Sequence, residues 1–287
     1  MGRTSRRRVP LLVACVLGTS LARPLAQAEQ TAPAFDVASI KASDSADSNG
    51  GSVFQPNGRY MSHNQTLRDI ILEAYRIRSF QLVGGPSWIN SDRFEIAAKA
   101  ENPADFQPVP QPNGVFAPPA APFLRVQTLL KDRFQLAVHH EQREGAVYAL
   151  TLARSDKRLG AKLQKRSVSC QDVTFTPAAP REFCGGVRRT SGLLTGRGAT
   201  MAQLVSSLSA VLGRAVLDRT DVGGLFDFDL EWTPTTAATP LPNSDALIGP
   251  ETSLFTALQE QLGLKLESTR GLVDVIVIDH VERPMLD

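Results

Sequence analysis

Few residue types in this chain could carry chemistry. Four histidines occur, His63, His139, His140 and His280, and a zinc site needs several such ligands to converge with thiolates or carboxylates. His139 and His140 are adjacent, and neighbours on a strand point to opposite faces, so they cannot share an ion. No His-Glu-x-x-His spacing, Gly-x-Ser-x-Gly elbow, Ser-x-x-Lys pair or Walker glycine pattern is present. No catalytic residue, metal ligand or cofactor is therefore assigned. Asp227, Asp229 and Glu231 would share one face of a strand, where acids can bind calcium or work as acid–base pairs. Their alternation with Phe226, Phe228, Leu230 and Trp232 is equally what a half-buried antiparallel strand requires, the acids being its wet face. These three acids are candidate partner-binding residues, together with Trp88 in the loop phrase Gly85-Pro86-Ser87-Trp88. Loop aromatics carry binding energy out of proportion to their number, although many simply lie over their own core.

The remaining chemistry is that of the cysteines, and it depends on compartment. Arg3, Arg6, Arg7 and Arg8 precede a mostly apolar stretch from Val9 to Ala22, and Ala26-Gln27-Ala28 offers a small-x-small cleavage site. That pattern predicts a secretory signal over residues 1–28 and a periplasmic or secreted protein. Cys15 sits in the middle of the apolar stretch, where a lipoprotein cysteine would follow it. Removing the leader takes away five arginines and no acid, which turns a net charge of +2 into −3. The basic balance thus belongs to the leader and argues for no nucleic-acid partner. No later apolar run approaches the ~20 residues that span a bilayer. Cys170 and Cys184 remain, and in an oxidising compartment they are expected to form a disulfide across a loop.

The elements that must position these residues recur along the chain. A shift of 134 residues lays Gly51 on Gly185, Val53 on Val187, Gly58 on Gly192, Thr66 on Thr200 and Phe94 on Phe228 without a gap. Behind Thr66 a helical stripe runs through Leu67, Ile70, Ile71, Ala74 and Ile77; behind Thr200 it runs through Met201, Leu204, Val205, Leu208 and Val211. Asp69 and Gln203 stand three residues after the two threonines, as capping partners do. Short strands (80–83 and 215–217), glycine pairs (Gly84-Gly85 and Gly223-Gly224) and longer strands (93–98 and 225–232) follow. Proline-rich inserts at 102–122 and 233–250 lead into second helices at 123–131 and 253–262. Two further strands are expected to close each copy, 134–140 with 147–152 and 264–267 with 273–278.

The reading is an α+β protein of two tandem modules, each built as hairpin, helix, two strands, helix, two strands, with helices packed on antiparallel or mixed sheets. The first module spans 29–153, a basic linker and the start of the disulfide loop span 154–183, and the second module spans 184–287.

Several long phrases carry a resemblance. Phe35-Asp36-Val37-Ala38-Ser39-Ile40-Lys41, Val83-Gly84-Gly85-Pro86-Ser87-Trp88-Ile89, Leu130-Lys131-Asp132-Arg133-Phe134 and Phe228-Asp229-Leu230-Glu231-Trp232-Thr233-Pro234 are similar to those of an exported, uncharacterised family abundant in soil Acidobacteria. In some relatives the domain follows a membrane-bound sensor-type metallopeptidase, which implies a sensory or binding role. Thr200 to Ile278 more distantly resembles the short N-terminal domain of secretins and TonB-dependent receptors, which implies a protein partner. The functional expectation is a non-enzymatic binding or interaction module that meets an envelope protein. Its alternatives are an enzyme whose site forms only in three dimensions and a purely structural envelope component. Any small-molecule ligand is unknown.

Overall fold

Local signals start and stop the helices. The Thr66 side chain accepts the Asp69 N–H and donates to the Asp69 carboxylate. Thr200 and Gln203 close a reciprocal capping box, and Ser253 accepts the Thr256 N–H. Gly263, with φ +67°, ends the last helix in the left-handed region that favours glycine. The computed structural model describes Gly2 and residues 32–44, 49–107, 109–110, 116–117, 120–167, 170, 184–234 and 252–287. The expected leader, the middles of both inserts and most of the disulfide loop lie outside the described residues. Residues 32–287 form one unit.

Strands β1 (Val37–Ala42), β2 (Gly51–Phe54) and β3 (Arg59–Thr66) lead into helix α1 (Leu67–Ala74). Then come β4 (Leu82–Gly84), β5 (Arg93–Lys99), α2 (Ala121–Phe134) and the long β6 (Ala137–Leu152). The same order of elements follows: β7 (Leu163–Arg166), β8 (Gly186–Thr190), β9 (Leu193–Ala199), α3 (Met201–Leu212), β10 (Val216–Asp218) and β11 (Leu225–Glu231). Helix α4 (Leu254–Ala257), continued by a π turn over Leu258–Leu262, and β12 (Leu264–His280) complete the chain. Within the second insert's counterpart, Val109–Pro110 pairs with Phe116–Ala117. The class is α+β. Two antiparallel outer sheets, ordered β1-β5-β3-β2 and β7-β11-β9-β8, flank a mixed central sheet ordered β10-β6-β12-β4.

Three features differ from the sequence reading. Each pair of closing strands is one continuous strand, and β6 runs antiparallel to β12 over nearly its whole length, with Gly145 opposite Gly271. The segment expected as a linker includes β7, which pairs with β11 because Arg166 reaches Asp227. The third is register. Both β3 and β9 slip against their neighbours, between Ser62 and Gln65 and between Gly196 and Ala199, which sets Phe94 against Gln65 and Phe226 against Ala199. By sheet position Phe94 therefore matches Phe226, not Phe228, and the offset shortens by two residues after β10.

The central sheet ties the halves together. Strand β4 pairs in parallel with Ile276–Ile278 of β12, and β10 with Tyr148–Leu150 of β6. Ile276 and Ile278 are buried in the first core, with Ile70, Ile71, Phe94, Leu130 and Phe134. Leu150 is buried in the second, with Leu208, Phe226, Phe228, Leu258 and Leu262. Each half thus completes its core with a strand end from the other.

Candidate functional site

Between the two cores the β6–β12 ribbon is mostly polar, and the apolar Leu272 and Val273 there are not buried. Glu144 stands opposite Leu272 and Gln142 opposite Asp274, and directly opposed residues of an antiparallel pair share a face. On that face a cleft of about 290 Å³ opens, lined by the turn between α1 and β4, by α3 and by β12. Its polar lining is Arg76, Arg78, Gln81, Ser206, Ser209 and Asp274, and Leu272 gives it an exposed apolar patch.

Local structure holds each group in place. Arg76 has φ +54° just after the end of α1, which turns the chain back toward the ribbon. Its guanidinium stacks over the Phe123 ring at 5.2 Å. Gln81 donates to the Asp274 carbonyl oxygen at 3.0 Å, and the Asp274 carboxylate accepts from Gln142 at 2.9 Å. Ser209 is occupied: it donates to the Val205 carbonyl and accepts the Val216 N–H, both at 2.9 Å. Among the described residues neither Arg76 nor Arg78 has a carboxylate partner, so the cleft presents two cations against one already bonded acid.

A family model described as a protein of unknown function, DUF3738, matches residues 68–281. The chain belongs to the DUF3738 family. The match runs from α1 to just beyond β12 and contains every residue that lines the cleft. No curated protein and no solved structure matches the chain.

The residues singled out in the DUF3738 sequence lie apart from this cleft. Asp227 accepts from Arg166 at 2.9 Å and from the Gly198 N–H at 2.7 Å. Asp229 is bonded to Arg197 at 2.8 Å, and that guanidinium holds its carboxyl below the ordinary range despite the opposing effect of burial. Glu231 faces Lys162 at 3.9 Å. Trp88 lies half-buried against the first core, with the Arg283 guanidinium stacked 4.9 Å over its ring. Cys170 and Cys184 form a disulfide with Cα atoms 5.7 Å apart. It packs behind the β9 slip, where a Cβ on Gly198 would stand 2.5 Å from the Cys170 sulfur.

Three of the four histidines bond acids. His63 bonds Glu95 at 2.8 Å, His280 bonds Glu282 at 2.9 Å, and His139 bonds Asp279 at 2.8 Å with Glu141 at 3.7 Å. Among the described residues no three histidine, cysteine or acidic side chains are placed to hold a metal. Ser43, Glu95 and His63 lie together, but both Ser43 and His63 bond the carboxylate. A nucleophile relay needs the imidazole between hydroxyl and acid. Here the carboxylate instead accepts the N–H of Asn64, a φ +49° residue at the β3 slip. Burial alone would raise Glu95, but the bonds from His63, Ser43 and Asn64 outweigh it and hold the carboxyl below its ordinary value. At the β9 slip the Asp227 carboxylate likewise accepts a backbone N–H, that of Gly198.

The bond from Asp279, reinforced by Glu141, raises the His139 pKa. The charged pair therefore stabilises the fold fully below the ordinary histidine pKa, and the contribution disappears as pH rises through the raised value. In an NMR titration of the imidazole, the His139 midpoint is expected to fall in Asp279→Asn. An unchanged midpoint would contradict the pairing.

Sequence reasoning missed the cleft because its parts lie far apart in the chain: Arg76 and Arg78, then Ser206, then Asp274. The available signal was modest. Two arginines follow a helix end, and the one acid at helical spacing, Glu73 three residues before Arg76, accepts instead from Ser52 and Tyr60.

Proposed function

We propose that this protein is a non-enzymatic, exported binding module that grips an acidic segment of an envelope protein in the cleft between its halves. The observation that carries this reading is the Arg76–Arg78 pair, which has no carboxylate partner among the described residues and lies in the first-half wall of a cleft whose other wall comes from the second half. Guanidinium groups recognise carboxylates through planar, paired hydrogen bonds, and an apolar side chain at Leu272 suits a peptide better than a bare ion. The lining contains no histidine or cysteine to act as base or nucleophile. Export is supported by the leader pattern and is compatible with the disulfide. Among the described residues no helix is long and apolar enough to cross a membrane. The matched order of elements on the two sides supports an origin by duplication of one module, and the resemblance of Thr200 to Ile278 to secretin and receptor domains favours a protein partner, in a sensory or assembly role.

Calorimetric titration with a short oligo-glutamate peptide tests the site. The native protein is expected to bind with an affinity that falls as salt rises, and the double variant Arg76→Glu, Arg78→Glu to bind about tenfold more weakly or not at all. An equal affinity in the two proteins would remove the cleft from consideration.

A further inference from the structure

The ribbon has a second property, independent of the cleft: one of its edges is open. The Tyr148 N–H donates to the Ala215 carbonyl and the Leu150 carbonyl accepts the Arg219 N–H, both at 2.9 Å, so even-numbered residues of β6 aim their backbone groups outward toward β10. By the alternation of a strand, Val138, His140, Gln142, Glu144 and Ala146 do the same. Strand β10 pairs only with Tyr148–Leu150, and among the described residues no strand lies along β6 from Ala137 to Val147. Long unpaired edges are templates for strand addition.

We propose that this edge joins a second copy of the chain, β6 to β6 and antiparallel, about a two-fold axis through Gln142. Gln142 is the midpoint of the open stretch, so the pairing uses all of it. It starts at Ala137, just after α2 ends at Gln135 in a left-handed turn, and stops where β10 takes over. The register also matches charge. Glu141 of each copy faces Arg143 of the other, His140 faces Glu144, and Val138 faces Ala146, each pair occurring twice by symmetry. The side chains are exposed enough to meet, and Arg143 already reaches Glu141 along its own strand at 2.9 Å, which puts both on one face. Such isologous pairing closes on itself and gives a dimer with the two central sheets continuous.

The opposite edge of the ribbon is unsuited to the same use. On β12 the open stretch from Lys265 to Val275 centres on Arg270, so self-pairing would set Arg270 against its twin and Asp274 against Leu266. Gln81 also occupies the outward Asp274 carbonyl, whereas Ala215, in the matching place beside β6, has no side chain to do so. Like charges directly opposed on adjacent strands are destabilising.

Sedimentation equilibrium of the purified protein is the test. A dimer is expected for the native chain. Glu141→Lys, which opposes Lys to Arg twice, should weaken it at least tenfold, and the exchange Glu141→Arg with Arg143→Glu should restore it. Oxidation of Gln142→Cys should give a covalent dimer, because directly opposed strand residues lie within disulfide reach, whereas Ser268→Cys on the other edge should not. A native protein with the mass of one chain at all concentrations would overturn the proposal, and so would a dimer indifferent to Glu141→Lys that Gln142→Cys fails to cross-link.

Discussion

A chain cut after Ala153 is expected to stay unfolded by itself, although it holds every element of the first half. Its β4 would lose Ile276–Ile278 as partner, and its core would lose Ile276 and Ile278 outright. Burying each such side chain contributes roughly 1.5–3 kcal/mol, and a domain's whole margin is only about 5–15 kcal/mol. The cut piece would also expose Val147 and Leu150, which are fully buried in the intact chain, and leave both edges of β6 unpaired. Circular dichroism and amide-proton dispersion of residues 32–153 alone should report no cooperative fold. Coexpression with residues 154–287 should restore one complex, since the strands then find each other. A cooperative thermal transition in the isolated piece would refute this account.

The same topology shows how far sequence reasoning reaches. The starts of α1 and α3 were legible because Thr66 and Thr200 are local devices that act within three residues. The α+β class followed from the alternation in β5 and β11, whose buried residues are those that face the helices. Pattern failed in the middle of β6 and β12. His139 to Glu144 and Glu267 to Arg270 belong to neither core, so nothing demanded alternation there, and Gly145 and Gly271 fell in the gaps between the expected strands. Which half a closing strand serves is a long-range fact with no local signature. The roles of Asp227 and Asp229 were hidden for a related reason: their partners, Arg166, Arg197 and the Gly198 amide, are set by sheet register.

Gly198→Val is expected to cost about 3–5 kcal/mol, the largest effect of any single substitution considered. Gly198 has φ +59°, which a β-branched residue adopts at high cost, and its new Cβ would press on the Cys170 sulfur. The backbone shift that relieves the clash would pull its N–H from Asp227 and leave a charge-assisted bond unmade. The corresponding slip in the first half tolerates a side chain: Asn64 is fully buried at φ +49°, with no disulfide behind it. Asn64→Gly should therefore cost less, about 1–2 kcal/mol, the bond from Ser43 being part of the loss. Urea unfolding of both variants checks the contrast; a Gly198→Val midpoint as high as that of Asn64→Gly would show that the disulfide does not constrain this slip.

In mechanical terms the β6–β12 ribbon is a splint. Each half grips both strands at one end, so a pull that separates the halves runs along two covalent backbones and cannot unzip the ladder between them. A hinge would need a point where one chain passes alone, and residues 137–152 and 264–280 leave none. At the middle, Gly145 opposite Gly271 trims bulk and Leu217 packs into the space that a Cβ on Gly271 would claim, so the centre is wedged as well as bridged. The two walls of the arginine cleft are thus held at a fixed gauge, and a ligand that fits it meets a ready-made span without first having to draw the halves together.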